Sequence, residues 1–94
     1  MNVPPEILEI LRQWVRKAEH DVEAAKRIMA VEEGCPYDTA CLHCQQAVEK
    51  YIKALLTLLG IEALRTHDLE RLAGQLPVGW QLAVPVAKLV GMNP

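Results

Sequence analysis

Phenylalanine is absent from this chain, and two tryptophans and two tyrosines are its whole aromatic complement. A core built without it must be filled by alanine, leucine and valine. Basic charge is also in short supply: formal net charge is -2 and the pI about 5.9. No overall positive field exists to hold nucleic acid, so any contact with RNA or a nucleotide must be local. Charges interrupt every apolar run before membrane-spanning length, and the opening "MNVPPEILEI" has no basic region ahead of a long apolar core. A cytoplasmic location without membrane contact is expected. Three cysteines, an odd number with no secretory signal, fit reduced thiols better than a disulfide framework. Gly-rich phosphate loop, nucleophile elbow, H-E-x-x-H and EF-hand patterns are all missing, as are internal repeats and β-type alternation. No cofactor is expected.

What is present is a chain with 51% hydrophobic and 23% charged residues, a balance that folds. Its 94 residues make one domain, 1–94, near the lower end of the size at which a single core suffices. A partner surface would help it.

Apolar residues recur at three-four spacing from Ile7 through Leu11, Trp14, Ala18, Val22 and Ala25 to Met29, with Glu9, Arg16, Glu19, Glu23 and Lys26 opposite. Pro4 and Pro5 suit a first helical turn, and "EEGCP" supplies a stop, so helix one is predicted over Pro5 to Val31. Asp38 or Thr39 can cap a second helix carrying Cys41, Cys44, Val48, Tyr51, Ile52, Leu55 and Leu59, with Gly60 ending it. A short link between two long amphipathic helices predicts an antiparallel hairpin. "RTHDLERLAGQLP" offers a third helix with Thr66 as N-cap, Leu69, Leu72 and Leu76 inward and Pro77 as the end. The tail is broken by Pro85 and Gly91 and predicts at most a short fourth helix. The fold class is therefore all-α.

Cys41, His43 and Cys44 have residue types and C-x2-C spacing that suit zinc. Helical register argues against it, because at about 100° per residue His43 points away from the stripe shared by the two cysteines. The thiols read as small buried hydrophobes and no metal is expected.

Two polar groupings exceed what packing needs. Gln45, Gln46, Glu49, Lys50 and Lys53 form a face of helix two. It is either a solvated face with a Glu49–Lys53 i,i+4 pair, or a patch of donors and acceptors for a ligand or partner. Arg65, Thr66, His67 and Asp68 gather at a helix start, where an anion could sit. In the competing reading Thr66 caps, Asp68 answers the helix dipole, and His67 reaches helix one, where His20 and Asp21 can accept it. Trp14 reads as a core or interface anchor.

The series Trp14, Ala18, Asp21, Ala24-Ala25, then "ACLHCQQAVEKYIKALL", Gly60 and "RTHDLERL" resembles the HEPN domain over roughly Ile10 to Leu76. The resemblance implies an up-and-down helical bundle that commonly forms a homodimer. It also implies a nucleotidyltransferase partner, often encoded alongside, and nucleotide binding, by similarity to the helical C-terminal domain of kanamycin nucleotidyltransferase. Many members are ribonuclease toxins with an R-x(4-6)-H motif. This chain departs from it: Arg65 and His67 are two apart, Arg16 and His20 enclose three residues, and no histidine follows Leu76. Members also usually continue into a further long helix, so an incomplete fourth helix and exposed apolar surface are expected here.

The expected function is a non-catalytic accessory protein acting with a nucleotidyltransferase, in a toxin-antitoxin-like or substrate-positioning role. Its expected site comprises Gln45, Gln46, Glu49, Lys50, Arg65, His67 and Asp68, with Asp21 in support. The enzymatic alternative is a metal-independent ribonuclease with His67 as acid or base and Arg65 on the phosphate. A purely structural dimer is the third reading.

Overall fold

The computed structural model describes residues 2–78, and all regular structure among them is helical. Helix α1 spans Pro5–Met29, α2 Tyr37–Leu58 and α3 Leu69–Gly74. Helix α1 starts at Pro5, whose missing N–H would have had no helical partner in any case, and Lys26 and Arg27 face the negative end of its dipole. It stops at Met29, two residues before the predicted Val31, and Gly34 at φ +68° carries the turn.

Helix α1 buries Ala18, Asp21 and Ala25, while α2 buries Ala40, Ala47 and Ala54 at seven-residue intervals. A seven-residue spacing of small side chains keeps one narrow seam facing a neighbouring helix and lets the backbones come close. The two helices pack along that seam as an antiparallel hairpin: Trp14 lies against Lys53, and Asp21, further along α1, meets Lys50 and His43, earlier on α2. Bulk lies elsewhere. Ile52 and Leu56 of α2 join Leu72, Ala73 and Leu76 in a cluster banked by Val48, Leu55, Leu59, Ile61 and Leu69. The inward placement of Leu69, Leu72 and Leu76 agrees with the sequence reading.

Two helix ends differ from expectation. Neither Asp38 nor Thr39 caps α2: Pro36 holds the N-cap position without a side-chain bond, and Asp38 falls in the first turn, where its charge suits the dipole. Thr66 does not cap α3 either. Asp68 does, accepting from the backbone N–H groups of Glu70 at 3.0 Å and Arg71 at 3.3 Å, while Thr66 Oγ1 accepts from Asp68 N at 3.1 Å. Thr66 thus shapes the approach and Asp68 starts the helix. Helix α3 ends at Gly74, ahead of Pro77. The predicted fourth helix lies outside the described residues.

Gly60 performs the predicted stop. It sits at φ +74°, with Gly60 N donating to Thr57 O and Ile61 N donating to Leu56 O at 2.8 Å, the paired bonds of a Schellman end. Ile61 is thereby turned onto the Leu56 cluster, and the 61–68 loop follows. Gln75 fastens that loop, its amide donating to Glu62 O at 2.8 Å and accepting from Leu64 N at 2.9 Å.

A six-residue helix cannot stand alone in water, so α3 is held by Leu72, which is fully buried, and by the Asp68 cap. Gly60→Ala meets no steric neighbour at the new Cβ, so its cost is the left-handed backbone alone, ~1–2 kcal/mol. Urea unfolding should show the midpoint fall at constant slope, and Gly60→Asn should recover part of the loss.

Candidate functional site

Among the described residues two carboxylates are buried, and each is about 7% exposed: Asp21 on α1 and Glu49 on α2. An ionised carboxylate so placed needs cations or donors around it. Helix α2 supplies both of Asp21's partners from positions two turns apart. His43 Nδ1 meets Oδ1 at 3.0 Å, and Lys50 Nζ donates to Oδ2. Because an ionised carboxylate only accepts, His43 must carry its proton on Nδ1. Burial would push the Asp21 carboxyl up, but the hydrogen bonds from Lys50 and His43 and the charges behind them outweigh it and hold it below the usual carboxylate range.

Glu49 joins three elements. Its Oε2 takes Lys53 Nζ at 3.2 Å within α2, and its Oε1 takes His67 Nδ1 at 2.9 Å from the loop before α3. Lys53 also lies 5.2 Å from the centroid of the Trp14 ring on α1, which Lys17 approaches at 5.3 Å. A cation over an indole face is attracted by its negative quadrupole, so Trp14 attracts two ammonium groups. The line from Trp14 through Lys53 and Glu49 to His67 ties α1, α2 and the α3 loop together.

The polar face of α2 is therefore not a solvated one. The Glu49–Lys53 pair exists as predicted, but in a mostly buried setting. His67 reaches α2 rather than helix one, because the loop brings it beside Glu49, and its own side chain stays 92% exposed. His20 and Asp21 do not receive it: Asp21 is saturated by α2, and His20 is exposed at a second, shallower hollow beside Tyr51.

Between α2 and the start of α3 lies a cleft of about 440 Å³, lined by Leu42, Gln45, Gln46, Glu49, His67, Asp68, Leu69 and Glu70. Its volume falls in the range of small-ligand pockets. Five of the eight predicted site residues, Gln45, Gln46, Glu49, His67 and Asp68, come together here. Lys50 and Asp21 pair with each other instead, and Arg65 is exposed on the loop without lining the cleft. The Gln45 amide nitrogen is shut from solvent and has no hydrogen-bond partner among the described residues.

His43, Trp14 and Lys53 hold the framework, and sequence reasoning left them out of the site. One signal was available for His43: it stands seven residues before Lys50, so both lie on one side of α2. Cys35, Cys41 and Cys44 are free and half-buried rather than fully enclosed. Cys35 Sγ donates to Ile28 O at 3.4 Å and braces the turn. Among the described residues no group of three or more His, Cys, Asp or Glu could hold a metal ion, and no helix is long and apolar enough to cross a membrane.

A hairpin of two long helices, joined through buried carboxylates and closed by a short third helix beside a polar cleft, defines a small all-α hairpin domain. The HEPN domain family model matches residues 11–87, most of the chain, and the chain belongs to that family. No curated protein and no solved structure matches it.

Asp21→Asn leaves Lys50 without its anion and should cost ~2–3 kcal/mol at neutral pH, less than a fully enclosed pair because Lys50 and His43 keep some water. The folded carboxyl titrates below the unfolded one. Its contribution is therefore complete above about pH 4 and drains away as pH falls through the lower folded value. The stability gap between wild type and variant, followed by urea midpoints, should narrow in that acid window. A gap unchanged down to about pH 2 would contradict the assignment.

Proposed function

We propose that this HEPN-domain chain is an accessory protein that works with a nucleotidyltransferase by binding rather than by catalysis. The observation that carries this reading is that Arg65 stands outside the cleft that His67 lines. A ribonuclease would need His67 to exchange a proton with RNA while Arg65 grips the phosphate. Here His67 Nδ1 is paired with the buried Glu49 carboxylate at 2.9 Å, and Arg65, the group that would hold the phosphate, does not line the cleft beside it. The same pair fixes the α3 loop against α2, which gives the cleft a set shape suited to docking. Amide and carboxylate side chains line it, the equipment of a recognition surface more than of phosphate chemistry.

The role is toxin-antitoxin-like or substrate-positioning, and the protein pairs with a second copy in the cytoplasm. Apolar side chains left on the surface around the turn between the long helices, Met29, Val31 and Tyr37, support that pairing. A nucleotide, where one takes part, is brought by the partner or binds with its base toward Gln45 and Gln46, since Asp68 and Glu70 repel its phosphates.

Size-exclusion chromatography with light scattering should show the purified chain as a dimer. It should also show a stable complex with a minimal nucleotidyltransferase from the same genome. Under the same conditions the chain should leave a panel of short RNAs intact. Cleavage that disappears in a folded His67→Ala variant would replace this reading with the ribonuclease one.

A further inference from the structure

The cleft between α2 and α3 has a one-sided composition. Glu49, Asp68 and Glu70 line it, with no lysine or arginine among the described residues that do. Of the α2 lysines, Lys50 is engaged away from the cleft by Asp21, while Lys53 pairs with Glu49 and faces the Trp14 ring. Glu49 has both oxygens occupied, and Asp68 Oδ1 holds two backbone N–H groups. Glu70 is exposed at the mouth. With Glu49 answered by Lys53 and His67, the hollow presents the charge of Glu70 and the second oxygen of Asp68, which pair with no cation among the described residues.

Its other surfaces narrow the choice of occupant. Leu42, half exposed on α2, and Leu69 at the start of α3 form apolar walls, and the amides of Gln45 and Gln46 add flat hydrogen-bonding edges. A compact ammonium ion gains little from apolar walls because it stays strongly hydrated. A guanidinium is planar, weakly hydrated and forked, and its three-carbon stem packs on apolar surface while the head meets carboxylate and amide oxygens.

We infer that this cleft receives an arginine side chain presented by the protein partner, with Glu70 and Asp68 facing the guanidinium, Leu42 and Leu69 along its stem and Gln46 at its edge. The inference rests on the accessory reading above for the identity of the partner, and on charge complementarity for the residue it inserts.

The test uses the full chain and two readouts. In an NMR titration, the blocked peptide acetyl-Gly-Arg-Gly-amide should shift signals of Gln45, Gln46, Asp68 and Glu70, and the matched norleucine peptide should not. The effect should weaken as salt is raised. Glu70→Lys changes an exposed side chain, so the helical circular dichroism should be kept. It should reduce affinity about tenfold for both the peptide and the nucleotidyltransferase, the effect of one reversed, partly screened charge pair.

The inference is overturned if the arginine peptide moves none of these residues, or if the norleucine peptide or spermidine moves them at lower concentration. It is also overturned if the nucleotidyltransferase binds Glu70→Lys as tightly as wild type, a result that leaves the accessory reading standing. Failure of the nucleotidyltransferase to bind wild type, with the arginine peptide still titrating, would remove the accessory reading and keep the arginine site.

Discussion

Two carboxylates lie between helices, and both must be answered where they lie. Removing an ionised carboxylate from water costs several kcal/mol unless cations and hydrogen bonds replace the lost hydration. Asp21 has one partner for each oxygen, and so has Glu49. Sliding α1 along α2 by one turn would leave Asp21 facing the wrong side chains and strand Lys50. The ion pairs therefore do less for gross stability than for uniqueness: an alanine seam could close in more than one register, and the buried charges select one of them. That role, in which buried polar groups specify alignment, is the best attested use of such pairs.

The rest of the domain follows from that register. With α1 and α2 fixed, the Ile52 and Leu56 side of α2 is left for α3, whose Leu72 and Leu76 complete the cluster. Gly60 turns the chain so that Ile61 returns onto the same cluster, and Gln75 clamps the loop that follows. His67 then arrives beside Glu49. One carboxylate thus serves the α1 side through Lys53 and Trp14 and the α3 side through His67, so the packing of the helices and the shape of the cleft share a residue. A change at Glu49 cannot affect one without the other, whereas Glu70 at the cleft mouth is free of that coupling.

The sequence disclosed the helices well because their signals are local. Apolar spacing on Ile7 to Met29, the Gly60 stop and the inward Leu69, Leu72 and Leu76 are properties of short stretches, and each stretch carried its own answer. Caps were less legible. Thr66 and Asp68 are both good capping residues two positions apart, and the choice fell to the one whose side chain reaches the N–H groups of Glu70 and Arg71. Of the site, five residues named on their chemistry do line one cleft. Lys50 and Asp21 were also singled out, yet they clasp the two long helices together rather than line the cleft, and His43 was passed over because it was judged only against the cysteines beside it.

What the sequence determined by itself is angular: which side of each helix is apolar, which residues lie three, four or seven apart, and where each helix can end. Periodicity fixes the direction of a side chain about its own axis. It does not fix which residue of another helix stands opposite, because that depends on the sliding and rotation of two helices against each other. Only the tertiary structure decided that His43 and Lys50 converge on Asp21, that His67 reaches Glu49 instead of α1, and that Arg65 is left aside. The physical reason is that charge pairing is settled over a few ångströms of space, and the chain gives that proximity only when packing has chosen the register.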